Sequence, residues 1–316
     1  MRRVLVTGGA GFIGQPVVAA LLTRGYDVHV TVRAESQASL LPGAVTVHVC
    51  DLMDCSRSGE LVQGVRPEIL VHLAWVTEPG DYWGSLANLD WLTSSINLFR
   101  HFLDAGGSHC LVAGTSAEYD WGGGGPLIES QAVLKPQFLY GSCKLALFHA
   151  ASALFAQKSV PLAWVRLFCP FGPRENPMRL IPKTVLRLLR QELVVVDAGG
   201  EIRDFLHVED IANAIASLVQ RQVDGAVNVA SGQPTSIRAV IEEVAGYLEA
   251  QDRVVFQATR QSVESPLSVV AAIDHLKKVA DWNPPPAFRE RIAQTCDYWR
   301  RRMREEAGLQ KLATSA

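Results

Sequence analysis

A glycine-rich turn near the start of the chain constrains it most: Thr7-Gly8-Gly9-Ala10-Gly11-Phe12-Ile13-Gly14. The apolar run Val4-Leu5-Val6 precedes it, and Val17-Val18-Ala19-Ala20-Leu21-Leu22 follows it. The first run predicts a buried strand and the second a helix. Glycine keeps such a turn tight and lets the backbone come close to a ligand. The N–H groups at the helix start, which lack intrahelical acceptors, then face a bound pyrophosphate. Gly8, Gly11, Phe12, Ile13 and Gly14 are the residues expected to line that site. A glycine pattern carries this meaning only between a strand and a helix, which is its setting here.

The alternation continues. Strands are expected at 27–32, 45–49, 69–74, 110–113 and 162–168, and helices at 89–103 and 141–157. Short apolar strands alternating with helices predict a doubly wound α/β fold, a parallel sheet with helices on both faces. Ligands of such sheets bind beyond the carboxyl ends of the strands. After Phe168, Pro170, Pro173, Pro177 and Pro182 interrupt regular structure. A helix at 181–191, strands at 193–196 and 226–229, the segment 203–208 and a helix from Asp210 then predict a second, smaller α/β lobe. The expected division is a dinucleotide-binding domain at 1–168 and a substrate lobe at 169–301, of which about 205–232 crosses back to the first. Residues 302–316 are expected to be a frayed polar tail.

Composition narrows the partners. The chain has 316 residues, 48% hydrophobic and 20% charged, with a net charge of -2. That is ordinary globular composition and gives no footing for nucleic-acid binding. No apolar run reaches the length of a bilayer span, and the first residues do not read as a secretory signal. No membrane association is expected. Cysteines 50, 55, 110, 143, 169 and 296 show neither disulfide-framework nor metal-ligand spacing. A reducing cytoplasm and no metal are the expectations.

Tyr140-Gly141-Ser142-Cys143-Lys144 opens the helix at 141–157. Residues four apart at a helix start share a face. A nearby ammonium favours phenolate, so Lys144 is expected to lower the Tyr140 pKa and let the phenol exchange a proton near neutral pH. The same lysine can hold a ribose hydroxyl. Thr115, in Gly114-Thr115-Ser116-Ala117-Glu118-Tyr119, is expected just past a strand end, where its hydroxyl can meet a substrate oxygen beside the phenol.

Together these features resemble the extended short-chain dehydrogenase/reductase family of nucleotide-sugar epimerases, dehydratases and reductases, with a Rossmann domain. The resemblance covers nearly the whole chain: the turn at 7–14, Asp51-Leu52, His72-Leu73-Ala74, Asn88, Phe171-Gly172-Pro173 and the segment 203–210. Thr115, Tyr140 and Lys144 match its catalytic Ser/Thr, Tyr and Lys. The resemblance implies a nicotinamide cofactor and hydride chemistry. It implies that Asp51 bonds the adenine edge and Leu52 touches the ring, while Leu73, Ala74, Trp75, Tyr140 and Lys144 line the rest of the cofactor. It implies that Arg203 holds a substrate phosphate by charge-assisted hydrogen bonds. An ion pair of Arg203 with Asp204 or Asp210 is the alternative.

Departures from the family pattern refine this. The family's NAD enzymes usually end the second strand with an acid; here Val32 stands there, followed by Arg33. An arginine attracts a 2′-phosphate, so NADP(H) is expected ahead of NAD(H). The acid–base pair of the sugar 4,6-dehydratases falls on Ser116 and Ala117, which cannot do that work. The acids of GDP-fucose synthase fall on Ala117 and Arg179, so proton abstraction from carbon lacks its usual groups. Cys169 replaces a frequent Asn, leaving a substrate diphosphate to Arg203, Arg174 or Arg179. Trp75 and Trp121 are expected to wall the substrate pocket, and Trp83 and Trp91 to be packing residues. An NADP(H)-dependent 4-ketoreductase of a nucleotide-activated deoxysugar is the expected activity. A nucleotide-sugar 4-epimerase retaining NAD is the alternative. A cofactor-bound scaffold without turnover fits poorly with Thr115, Tyr140 and Lys144 all in place. The helix at 141–157 is apolar almost all round, so a two-fold partner is expected on its outer face, giving a homodimer. Cover by the C-terminal lobe is the alternative.

Overall fold

The order of elements in the first lobe is β1 (Arg3–Thr7), α1 (Gly14–Thr23), β2 (Asp27–Val32), β3 (Thr46–Val49), α2 (Cys55–Val65), β4 (Ile69–His72), α3 (Ala87–Asp104), β5 (His109–Thr115), α4 (Leu139–Gln157) and β6 (Leu162–Leu167). Then follow β7 (Cys169–Phe171), α5 (Leu180–Leu189), β8 (Val194–Asp197), β9 (Ile202–His207), α6 (Val208–Gln220), β10 (Gly225–Val229), β11 (Pro234–Ser236), α7 (Ile237–Tyr247), β12 (Val254–Gln257), β13 (Ser268–Val269), α8 (Asp274–Ala280) and α9 (Phe288–Thr314). These come from a computed structural model that describes residues 1–78, 82–197, 199–257 and 267–314.

Seven strands form one parallel sheet in the order β10-β6-β5-β4-β1-β2-β3. Every residue of β4, β5 and β6 is buried, as strands covered on both faces must be. The core on one face joins Val17, Val18 and Leu21 of α1 to Ile211 and Ile215 of α6 and Leu276 of α8. The core on the other face joins Val62 of α2 to Leu98, Phe99 and Phe102 of α3 and Leu147 and Phe155 of α4. Burying each of these large side chains contributes about 1.5–3 kcal/mol. The strand order turns back between β1 and β4, so a crevice opens there at the carboxyl edge.

The smaller lobe packs α5, α7 and α9 around Phe171, Val185, Val240, Ile292 and Trp299. β9 lies between β11 and β13 and also pairs with β7. The chain returns to the first lobe after β9: α6 packs on α1, and β10 pairs with β6 at the sheet edge.

Two expectations need correction. The polar tail from Arg302 is helical, since α9 runs unbroken to Thr314; residues 315–316 lie outside the described ones. Arg302 and Glu306 form an i,i+4 ion pair on it. Second, α4 is 19 residues long and apolar enough, by length and composition, to cross a bilayer. Its inner face instead buries Tyr140, Lys144, Leu147, Ala151 and Phe155 against the sheet and α3.

Candidate active site

The glycine turn is shaped as a cradle. Gly8 has φ of 70°, and a Cβ there would lie 2.8 Å from the Ala74 backbone nitrogen. A Cβ on Gly14 would lie 2.1 Å from the Gly8 carbonyl oxygen. No larger residue fits either place without moving backbone. The turn closes through Gly11 N–H to Gly8 O at 3.0 Å, and α1 starts with no side-chain cap. Its first N–H groups therefore suit an anion.

A hydrogen-bond chain fixes Leu73 and Ala74 against that turn. Ser95 Oγ donates to the Trp91 carbonyl at 2.6 Å, so it accepts from His72 Nε2 at 2.9 Å. His72 Nδ1 then accepts from Thr7 Oγ1 at 2.7 Å, and Thr7 Oγ1 accepts from Ala74 N–H at 3.4 Å. Burial pushes the His72 pKa down to about 3, so the ring stays neutral. The ends of β1 and β4 are thereby locked together.

The adenosine side lies across β2 and β3. Arg33 is exposed just past β2, where the Gln37 amide oxygen holds its N–H at 2.9 Å. Asp51 is exposed past β3, its carboxylate accepting Met53 N–H at 3.0 Å. Leu52 beside it is buried, and its carbonyl accepts Ser94 Oγ at 2.5 Å. Phe12 and Ile13 are half-buried at the turn. These residues and the cradle fit a dinucleotide laid from β3 across β1 toward β5.

Thr115, Tyr140 and Lys144 come together where β5 ends and α4 begins. All three are buried. Thr115 is the last residue of β5 rather than a residue past it. Its hydroxyl accepts Ala117 N–H at 3.2 Å and acts on the Tyr140 phenol, favouring the phenolate. Lys144 Nζ donates to the Ala113 carbonyl at 2.8 Å and lies 3.8 Å from the centre of the Trp75 ring. The expected lowering of the Tyr140 pKa is overturned in this arrangement. Burial holds the phenol well above its usual range, and the Thr115 hydroxyl opposes this only in part. The Lys144 ammonium is itself pulled down to about 7 by burial, with the charge of Glu118 opposing. Burial is the largest cause of both shifts.

An aromatic cage surrounds the phenol. Tyr82 and Trp83 meet the Tyr140 ring edge-on at 5.1 and 5.7 Å. Trp83 also meets Trp121 at 6.1 Å and Phe138 at 5.1 Å. Trp83, expected to be a packing residue, is thus part of the site; Trp91 packs on Trp75 at 6.2 Å. The Trp83 carbonyl accepts Tyr140 N–H at 3.0 Å, which ties the cage to the helix start. Trp75 Nε1 donates to Asn88 Oδ1 at 2.8 Å, and Asn88 Nδ2 donates to the Tyr82 carbonyl at 2.7 Å. Trp121 Nε1 donates to the Ser116 carbonyl at 2.8 Å.

From the second lobe, the guanidinium of Arg179, at the start of α5, lies 5.7 Å from the centre of the Tyr82 ring and favours its phenolate. Its charge also acts on Tyr140, Cys169 and Glu175. Arg203 is partly buried near Cys169 and donates to the Ile202 carbonyl at 2.9 Å. The carboxylates offered as its alternative partners are engaged elsewhere. Asp204 accepts from Ser231, Gly232 and Ala271, and Asp210 pairs with Arg291. Arg174 is exposed at φ 67° and has no hydrogen bond, ion pair or ring contact with this cluster among the described residues.

Two buried acids join this region without a motif to mark them. Glu118 has no exposed surface and pairs with Arg166 at 2.7 Å; the signal was an arginine inside an otherwise apolar strand. Glu175 is buried beside Arg179, with Oε2 lacking a partner. Pattern alone gave no sign of it.

A doubly wound sheet with this glycine cradle, and a Thr–Tyr pair with a lysine one turn on, defines a nicotinamide-dependent oxidoreductase of the short-chain type. The chain belongs to the NAD dependent epimerase/dehydratase family, whose model matches residues 4–230. It is 25% identical over 335 residues to dTDP-glucose 4,6-dehydratase of Neisseria meningitidis, covering 95% of this chain and 93% of that one. It is 27% identical over 251 residues to dTDP-6-deoxy-L-talose 4-dehydrogenase (NAD(+)) of Aggregatibacter actinomycetemcomitans, with coverages of 76% and 88%. The solved UDP-glucose 4-epimerase of Thermus thermophilus, in complex with NAD, matches it with a TM-score of 0.84 at 25% identity, covering 94% and 99%.

Proposed function

We propose that this enzyme reduces the 4-keto group of a nucleotide-activated deoxysugar, with NADP(H) as cofactor. The observation that carries the reading is Thr115 at the end of β5 brought to Tyr140 at the start of α4, with burial holding the phenol in its protonated form. A carbonyl oxygen placed there accepts from both hydroxyls. The bound nicotinamide supplies the hydride. Tyr140 gives its proton to the oxygen as negative charge develops, and Thr115 orients that oxygen. Lys144 supplies positive charge behind the phenol. The cage of Tyr82, Trp83 and Trp121 packs on the apolar side of the sugar and excludes water. Arg179 and Arg203 take the diphosphate, and Arg174 lies where it can only join them from the surface. The relative acting at C4 of a 6-deoxytalose supports the position attacked. Ser116 and Ala117 supply no acid–base pair, which speaks against dehydration despite the dehydratase relative. All six cysteines are free, which suits a reducing cytoplasm.

NADP(H) is inferred from Arg33 in the place after β2 where an acid would repel a 2′-phosphate. An exposed guanidinium holding that phosphate contributes the low end of a charged hydrogen bond's worth, about tenfold in affinity. Arg33→Ala is expected to weaken NADPH by that order and leave NADH unchanged, read by titrating both cofactors at fixed low ionic strength. A wild type that prefers NADH, or one that purifies with tightly held NAD, moves the 4-epimerase ahead.

A further inference from the structure

Behind the catalytic cluster lies a buried ionic network. Glu118 Oε1 accepts the Thr115 backbone N–H at 2.8 Å and Trp164 Nε1 at 3.0 Å. Glu118 Oε2 accepts Arg166 Nε at 2.7 Å. Arg166 Nη1 donates to the Tyr119 phenol at 3.1 Å, and Tyr119 donates to Asn228 Oδ1 at 2.8 Å. Asn228 Nδ2 ends the chain on the Leu127 carbonyl at 2.9 Å. Space for this network is cut by Gly114: a Cβ there would lie 2.3 Å from Trp164 Nε1 and 2.7 Å from Glu118 Oε1. A buried ion pair contributes little net stability compared with an apolar replacement. Its cost points to a role beyond holding the fold.

We propose that Glu118 is a positioning residue for the reaction: it fixes the Thr115 backbone, and so the Thr115 hydroxyl, and sets a buried negative charge facing the Lys144 ammonium. This rests on the roles given above to Thr115, Tyr140 and Lys144. The charge environment of Lys144 supports it. The Trp75 ring and the Ala113 carbonyl cover the ammonium, His72 beside it is neutral, and the Tyr140 phenol is protonated. Glu118 is the acid whose charge acts on the lysine. Arg166 faces Glu118 from β6, and Arg179 faces Tyr140 from the second lobe. Without Glu118, burial would lower the Lys144 pKa further.

Two variants separate position from charge. Glu118→Asp keeps the charge but is one methylene too short to hold Thr115 and Arg166 together. It is expected to lower kcat roughly a hundredfold, the cost of a displaced catalytic group, with the Lys144 titration unmoved. Glu118→Gln paired with Arg166→Gln removes both charges and leaves an amide–amide hydrogen bond. It is expected to lower kcat and also to move the Lys144 titration down by roughly one pH unit. That titration is read without substrate, by carbon NMR of lysine-labelled protein, with the signal assigned from Lys144→Met. A wild type that turns over no keto-sugar fails the proposed function, while the titration still tests Glu118. A double variant that binds cofactor normally, with kcat and the Lys144 titration both unchanged, overturns the proposal. Should the double variant not fold, unchanged turnover in Glu118→Asp overturns it.

Discussion

At the scale of single residues, the site region holds charges at unfavourable protonation costs. Glu175 is the clearest. Burial raises its carboxyl from the ordinary 4.5 to about 8, against the charge of Arg179 and a hydrogen bond from Gly172 N–H. The unfolded chain releases this proton near 4.5 and the folded chain near 8. Between those values the folded state binds more protons, so this residue's contribution to stability falls as pH rises. Glu175→Gln removes that dependence. It is expected to stabilise the protein by roughly 1–3 kcal/mol at pH 8 and by much less at pH 5, as befits relief of a buried unsatisfied acceptor. Thermal melts of both proteins at the two pH values check this; an equal gap at both would contradict it.

At the scale of elements, we propose that the strand–turn–helix unit around Gly8 carries cofactor binding. Gly8→Ala forces a left-handed φ on a residue with a Cβ and drives that Cβ into the Ala74 backbone. The strain is of order 1–3 kcal/mol. We expect cofactor affinity to fall roughly ten- to a hundredfold while β1 and α1 still fold, as isothermal titration and circular dichroism together report. Retained affinity would separate the turn from the cofactor. This unit was legible in the sequence because its constraint is local: glycines, then a helix start. Thr115, Tyr140 and Lys144 were legible for the same reason, being at one strand end and one helix start. Glu118 was not, because its partner Arg166 lies 48 residues away, and Glu175 was not, because nothing in the pattern shows the burial that gives it meaning. The direction of the Tyr140 pKa is not legible from spacing, which shows the lysine but not the burial of both groups. α2, α7, α8 and α9 have no counterpart among the expected helices; Gly59 and Gly64 in α2 and the charged run of α9 interrupt the apolar pattern, and packing on the other elements holds these segments helical.

At the scale of the whole molecule, α3 and α4 pack side by side and on the sheet, and the second lobe's helices pack on one another. Leu89 of α3 is 46% exposed, and Ala146, Ala150 and Ala153 of α4 are exposed. The second lobe therefore does not fill this face. We propose an isologous homodimer through α3 and α4. Sedimentation at micromolar concentration is expected to show twice the chain mass of 34.5 kDa, and Ala150→Arg to return the monomer. A wild-type monomer would contradict this.

In the proposed reaction Tyr140 is the proton donor as a sugar carbonyl is reduced. The direct measurement follows the loss of reduced-cofactor absorbance when NADPH and a nucleotide-linked 4-keto-6-deoxyhexose are mixed with wild type and with Tyr140→Phe. Wild type is expected to oxidise one NADPH per keto-sugar. The variant is expected to be slower by roughly a hundred- to ten-thousandfold, the range for loss of a general acid, with NADPH binding kept. Equal rates in the two proteins, or interconversion of C4 epimers with no net oxidation of NADPH, would contradict it.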